Sequence, residues 1–398
     1  MLPVVLYEPQ SVGHFQPLTD FLPLWELRAG AFTIRERWEL FLRGRQVLFL
    51  PRPEIAEVAS ALASNIQVIT ERDLPAEADF VCASVLPLMG FDLSAFVEDG
   101  NSQLCRRRTR GEFLGYLTGQ LTDEEIPAQN AKFMQLTRIW QLVEYLPTLL
   151  ANDFGQFRKS TGQTDQHGVT FIGDPSQRAI SQSAKLLPQT VVDTTSGPVI
   201  IDDEVESKPF SYLAGPLYVG KRSILLGGKI GTSSFGSDCR VHGEVTDTVF
   251  CDCVNKAHYG FIGHSYVAPF VNFGAMATNS NLKNTYGNIK LQTKAGTVDT
   301  GLGKFGFVCG PHTKFGIGSL ISTGSLIGGF CNLFAGGAFL PKAIDHFSWF
   351  DGATMASFRF DQAAHVAQRA SERRHRAFSA AETKRALAIY RKVFRPPK

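Results

Sequence analysis

No apolar run in this chain reaches the roughly 18 to 20 residues that a membrane span requires. The first residues, Met1-Leu2-Pro3-Val4-Val5-Leu6-Tyr7-Glu8, lack the basic region and the long apolar region of a secretory signal. They read as a buried strand, and the expectation is a cytoplasmic protein. Cysteine is scarce: seven, an odd number, scattered through 398 residues. That pattern reads as reduced core thiols rather than a disulfide framework. Cys251-Asp252-Cys253 is the one close pair, and without a second pair it does not make a zinc site. Neither G-x-x-x-x-G-K-[ST] nor G-x-G-x-x-G occurs, and no glycine-rich phosphate loop follows the first strand. Charged residues are 19% of the chain against 44% hydrophobic, which excludes a disordered protein. The length suffices for two or three domains.

The net charge of +3 is unevenly spread. Residues 359–398 carry eleven Lys/Arg and three Asp/Glu, so the remainder is acidic. This basic tail reads as the solvated face of a helix rather than a nucleic-acid or lipid anchor.

The chain divides into three regions. Up to about residue 180, short apolar strands at 4–7, 46–50, 67–70 and 80–84 alternate with helical stretches at 36–42, 54–63 and 128–152. Alternation of this kind predicts an open, mostly parallel α/β sheet. Residues 176–198, rich in Ser and Thr, read as a linker. From about 199 to 350 glycine becomes frequent and apolar residues recur every six positions. Phe315, Ile321, Ile327, Leu333 and Phe339 form one run, Phe261, Val267 and Phe273 another, and Val219 with Leu225 a third. A period of six suits neither helix nor ordinary strand; it predicts a parallel β-helix with 18-residue coils. Residues 279–300 break the period and read as a projecting loop carrying Lys283, Lys290 and Lys294. After 356 the chain is helical, with a capping box at Ser379-Ala380-Ala381-Glu382 and a stripe of Leu387, Tyr390 and Phe394.

The stretch 255–284 holds the most chemistry. Moving an acyl group from a thioester to an amine needs a base for the amine proton and donors for the oxyanion. His258 is the candidate base, since imidazole titrates near neutrality. Asn272 and Asn281 are its amide partners. His242, His264 and His312 read as structural. In the first region, Arg28-Ala29-Gly30 and Thr33-Ile34-Arg35-Glu36-Arg37-Trp38 offer arginines that could clamp phosphate or form surface ion pairs.

These residues resemble a known family. Gly215-Pro216-Leu217-Tyr218-Val219-Gly220, Gly243-Glu244-Val245, Asn255-Lys256-Ala257-His258, Ser280-Asn281-Leu282-Lys283-Asn284 and Ser322-Thr323-Gly324 are similar to the acetyltransferase half of the bifunctional N-acetylglucosamine-1-phosphate uridyltransferase / glucosamine-1-phosphate acetyltransferases. A divergent bacterial branch matches best, and Pro17-Leu18-Thr19 with the Arg28–Trp38 stretch resembles it too. The resemblance implies a nucleotidyltransferase-like α/β domain over 1–180, a left-handed parallel β-helix of hexapeptide repeats over 181–355, and a helical tail over 356–398. It implies a homotrimer using acetyl-CoA and an amino sugar phosphate. His258 falls at the family's general base and Asn281 near the acetyl group. Asn272 falls at a sugar contact, with Asn255, Lys256 and Lys283 in the matching substrate-binding pieces. Ala275 falls at a backbone contact to the acyl donor. Phe261 stands where better-known members carry a tyrosine. The first domain lacks the family's glycine-rich nucleotide loop. If it is active, Arg28, Arg35 and Arg37 would hold a nucleoside triphosphate with Mg²⁺.

Three functions are compatible with the sequence: an amino-sugar acetyltransferase, a sugar-1-phosphate nucleotidyltransferase, or a non-catalytic trimeric scaffold.

Overall fold

A computed structural model describes residues 2–62, 65–98, 104–117, 132–157 and 166–394. The first region forms a sheet in the order Gln67–Val68, Val47–Leu50, Val4–Tyr7, Glu77–Cys82, Cys105–Thr109. The first four strands are parallel and Cys105–Thr109 closes the edge antiparallel. Val4, Val5 and Leu6 are fully buried, as an unbroken apolar run in a doubly covered strand should be. Helix Ile34–Phe41 starts at a Thr33/Glu36 capping box.

The helix expected over 128–152 is not continuous. Residues 128–131 lie outside the described residues, Phe133–Gln135 is a strand paired with Val85–Pro87, and helices Gln141–Glu144 and Leu146–Phe157 follow. The Gln141 side-chain oxygen accepts from the N–H groups of Thr137 and Arg138, so the chain turns there before it can be helical.

The parallel β-helix begins earlier than the sequence suggested. Thr170–Ile172, Arg178–Ile180 and Lys185–Leu186 are its first three strands, so residues 176–198 form coils, not a linker. Ile180, Leu186 and Val192 point into the core while polar residues between them make the corners. Three faces run along the axis. Face A carries Thr170–Ile172, Val191–Asp193, Ser211–Ala214, Phe261–Gly263 and Thr278–Asn279; face B carries Arg178–Ile180, Val199–Ile201, Leu217–Val219 and Tyr266–Val267; face C carries Glu206–Ser207, Asn255–Lys256 and Asn272–Phe273. Phe273 and Phe315 stack in the core at 4.9 Å.

Coil length varies. Arg178 pairs with Val199, Val199 with Leu217, Leu217 with Ser233, and Ser233 with Thr248, so successive coils shorten from 21 to 18, 16 and 15 residues. The slack lies at the corners, and it moves two expected core residues outward. Ile262 pairs with Val245 and is buried, leaving Phe261 outward on face A. Phe339 is 62% exposed, and Leu340 fills the core instead. Many corners need a left-handed residue, such as Asp247 (φ 47°), His264 (φ 51°) and Met276 (φ 62°).

The interruption between Tyr266–Val267 and its coil partner Phe307–Cys309 is an ordered hairpin, Lys290–Thr293 with Gly296–Asp299. Ile289, Leu291 and Phe305 join the core of the N-terminal domain, so this segment is a bracket between domains rather than a free loop. That domain covers face B: the Arg28 N–H donates to Tyr266 Oη at 2.8 Å, and Ser234 Oγ donates to the Gly30 carbonyl at 2.7 Å.

Helices Phe360–Glu372 and Ala380–Val393 cover the corner between faces B and C, where Phe270, His312, Phe330 and Phe347 stack. The Ser379/Glu382 capping box is present. The buried face of the last helix is centred on Ala386 and Ile389; Tyr390 packs on Phe347 at 5.3 Å, while Phe394 is partly exposed. Residues 395–398 of the basic tail lie outside the described residues. Among the described residues no helix is long and apolar enough to cross a membrane.

Candidate active site

The corner between faces C and A is left bare. Phe210, Tyr259, Met276 and Ile317 protrude from it, each 59% exposed or more. Backbone bonds from Gly228 to Phe210, Met276 to Tyr259 and Gly318 to Ala275 stack its turns into one column. His258 sits in this column, exposed, at the turn between Asn255–Lys256 and Phe261–Gly263. Its ring makes no hydrogen bond among the described residues. The neighbouring coil contributes His242, whose ring lies 4.3 Å from that of Tyr259. Burial lowers the His242 imidazole, and the charges of Lys256 and His258 lower it further.

Lys256 is not available to a substrate. It occupies an inward position opposite Val241 and is 1% exposed. Its ammonium donates to the carbonyls of His242, at 3.0 Å, and of His258. Burial pushes it down to about 8. It therefore props the turn carrying His258 from inside.

The expected amides do not all gather round His258. Asn255 and Asn272 meet on face C, Nδ2 donating to Oδ1 at 2.8 Å. Asn281 lies on the corner between faces A and B, where its Nδ2 is 3.0 Å from His264 Nδ1. The strand Phe261–Gly263 separates it from His258. The Ala275 carbonyl accepts from the Gly318 N–H at 2.8 Å. Lys283 starts the hairpin insertion and donates to the Asn288 carbonyl of the same segment. Outward on face A, Tyr212, Lys229, Glu244 and Phe261 succeed one another in register.

The three arginines of the first domain are engaged. Arg37 is 1% exposed, paired with Asp153 at 2.7 Å and with the Ala29 and Pro87 carbonyls. Arg35 binds Glu26 at 2.6 Å and Glu39 at 3.2 Å. Arg28 donates to the Ala31 carbonyl, faces Asp252 at 3.5 Å and lies over the Tyr218 ring. Arg28 thus bridges the two domains, whereas the Arg35 and Arg37 pairs lie within the first; in this structure all three guanidiniums are ion-paired. The carboxyl end of the sheet, where open α/β folds bind ligands, is closed by a pair that the sequence did not reveal: Glu8 with Arg52 at 2.5 Å. Nothing in the local sequence signals it, because the partners come from different strands.

Two cavities flank these elements. One of about 270 Å³ lies where Arg28 and Arg35 meet Arg376, Arg385 and the His312 stack. The other, about 700 Å³, lies between the loop after Tyr7 and the hairpin, lined by His14, Asp20, Arg138, Trp140, Lys294 and His346. Asp20 accepts from His346 Nε2 at 2.9 Å and faces Lys294 at 3.7 Å. Burial alone would raise this carboxyl, but His346, Lys294 and Arg385 hold it below its ordinary value. All seven cysteines are buried free thiols. Burial pushes Cys251 up to about 11 and Cys253 to about 12, so neither is a ready thiolate.

Residues 4–161 match the family model described as sugar nucleotidyl transferase. A bifunctional sugar-1-phosphate nucleotidylyltransferase/acetyltransferase of Sulfurisphaera tokodaii is 30% identical over 153 residues, covering 35% of this chain and 36% of that protein. The chain thus spans about a third of the length of the curated relative it matches. Among solved structures, PerB of Caulobacter crescentus in complex with CoA and GDP-perosamine aligns with 89% of this chain and 97% of its own. Identity there is 11% and the TM-score 0.16. A mutant of the perosamine N-acetyltransferase from the same organism gives 11% and 0.14 over the same shares. Similarity at that level says nothing about the activity of this chain.

Proposed function

We propose that this chain is an acetyltransferase that moves acetyl from acetyl-CoA to an amino sugar phosphate such as glucosamine 1-phosphate, fused to a sugar-nucleotidyltransferase-like domain. The observation that carries the reading is the pairing of two parts in one chain. A sugar nucleotidyl transferase match covers 4–161, and the β-helix beside it presents an exposed histidine on its bare corner. The relative from Sulfurisphaera tokodaii is named for the same two activities.

In the proposed reaction the sugar amine attacks the thioester carbonyl. His258 takes the amine proton, the new C–N bond forms, the C–S bond breaks, and the proton passes to the departing sulfur. Asn255 and Asn272 on face C and Lys229 on face A supply polar groups for the sugar and its phosphate. The exposed column of Phe210, Tyr259, Met276 and Ile317 supports assembly with further copies of the chain, as a homotrimer with the site between subunits. Thiol release from acetyl-CoA in the presence of glucosamine 1-phosphate tests the reading. His258→Ala is expected to lower kcat by about 10² to 10⁴. Full activity in that variant removes His258 from the mechanism. A folded protein that neither binds acetyl-CoA nor releases thiol is the scaffold instead.

Nucleotidyl transfer is the second reading, supported by the match over 4–161 and by the 700 Å³ cavity beside it. Among the described residues no three His, Cys, Asp or Glu side chains converge, so a Mg²⁺ ion here would be held largely by the substrate's own phosphates. Sugar-phosphate-dependent pyrophosphate release from a nucleoside triphosphate would establish this activity.

A further inference from the structure

The corner between faces A and B carries a cluster of polar side chains built from three successive coils. Asp247, His264 and Asn281 occupy equivalent turns of those coils. His264 Nδ1 lies 3.0 Å from Asn281 Nδ2, and His264 Nε2 faces Asp247 Oδ2 at 3.7 Å. Thr246 Oγ1 donates to the same Asp247 oxygen at 2.8 Å and steadies it. The backbone is fixed as well. The His264 N–H donates to the Thr246 carbonyl at 3.1 Å, its carbonyl accepts from Gly306 at 2.8 Å, and the Asn281 carbonyl accepts from Phe305 at 2.9 Å. His264 holds the left-handed conformation, φ 51°, that corners of this β-helix commonly take, as Asp247 does one coil earlier at φ 47°.

Nδ1 of His264 is engaged by Asn281, while Nε2 faces the Asp247 carboxylate from beyond hydrogen-bond distance. A neutral imidazole that accepts at Nδ1 carries its proton on Nε2, the nitrogen facing the carboxylate. Burial lowers the His264 imidazole, Asp247 raises it, and Lys304 lowers it. With one amide proton given to His264, the Asn281 amide cannot flip without losing that bond. Its Oδ1 has no partner among the described residues. The amide lies against Phe261 over a bare glycine: a Cβ on Gly263 would sit 2.4 Å from Phe261 Cζ and 3.0 Å from Asn281 Nδ2.

We propose that His264, facing Asp247, is a positioning residue: it fixes the Asn281 amide so that Oδ1 is presented beside Phe261 as an acceptor for a hydroxyl of the sugar lying across face A. This rests on the acetyltransferase reading. It assigns Asn281 the task of holding the sugar on face A, leaving the oxyanion to other donors.

The test has two arms. In steady-state kinetics with acetyl-CoA and glucosamine 1-phosphate, His264→Ala is expected to lower kcat roughly tenfold or more, with KM for acetyl-CoA unchanged. His264→Asn should recover most of that loss, since its Oδ1 can replace Nδ1 and asparagine tolerates positive φ. Asp247→Asn should fall between the two. An Ala variant as fast as wild type, or an Asn variant as slow as Ala, overturns the inference. The second arm needs no activity and no variant that must survive a left-handed corner. In wild-type protein labelled with ¹⁵N-histidine, the His264 ring is expected as the Nε2–H tautomer, and Asn281→Ala should shift its Nδ1 resonance. An Nδ1–H ring overturns the inference whatever the kinetics give. A wild-type protein that acetylates no amino sugar removes the acetyltransferase reading and the catalytic half of this inference with it; the tautomer then decides the hydrogen-bond half.

Discussion

Lys256 has no surface role, yet it is one of the residues on which the candidate base depends. Its ammonium is inside the β-helix, bonded to two turn carbonyls, and burial holds it near 8 against 10.5 in the unfolded chain. A lysine with a depressed folded value binds fewer protons folded than unfolded between those limits. Its contribution to stability therefore rises as pH climbs from about 8 to 10.5 and is least below 8. The shift corresponds to about 3 kcal/mol. Urea unfolding of wild type and Lys256→Met across that range should show wild type gaining relative to the variant as pH rises; a constant difference means the ammonium is solvated. Arg37 and Asp153 are a second buried charge at the same scale. Asp153→Ala strands a guanidinium that is 1% exposed and is expected to cost about 3 to 5 kcal/mol in denaturant unfolding. A loss under 1 kcal/mol would mean that water reaches Arg37.

At the scale of the element, the turns decide what the faces present. Gly260 has φ 129°, and a Cβ there would sit 2.2 Å from the Ala277 carbonyl oxygen of the next coil. It also closes the turn that holds His258. Gly260→Ala should therefore lower both stability, by about 1 to 3 kcal/mol, and acetyl transfer. Gly301, with φ 72° and open space around it, is the control: alanine there strains the backbone but meets nothing. Equal Tm losses in the two variants would show that the close approach of the coils is unimportant. The turns are also where the sequence is least legible. Six-residue spacing placed Phe315, Ile321, Ile327 and Leu333 correctly in the core. It failed at Phe261 and Phe339, because a turn can gain or lose a residue without disturbing the strands that flank it.

Across the whole molecule, the two faces of consequence are the covered one and the bare one. Face B is sealed by the N-terminal domain through Arg28, Gly30, Tyr218 and Tyr266, with the hairpin over 290–299 as a bracket. The corner that holds His258 exposes an apolar column instead. If that column meets further copies, Met276→Glu should dissociate the assembly to monomers in sedimentation velocity while leaving the far-ultraviolet circular dichroism unchanged. Wild type sedimenting as a monomer would remove the trimer from the proposal.

The sequence by itself determined the order of parts: an α/β sheet, a six-residue repeat and a helical tail. Each is written in local periodicity, and burial along a strand or helix follows from that alone. It also singled out His258, whose chemistry is a property of the side chain. Only the tertiary structure decided what the polar residues meet. Asn281 and His264 are one coil apart in a coil of variable length, so their contact depends on the register of every turn between them. Arg28 and Arg37 read equally well as phosphate ligands or ion pairs until Asp252 and Asp153 arrive from distant segments. Pairing across coils and between domains is set by how the faces close around the core, and no spacing in the chain records it.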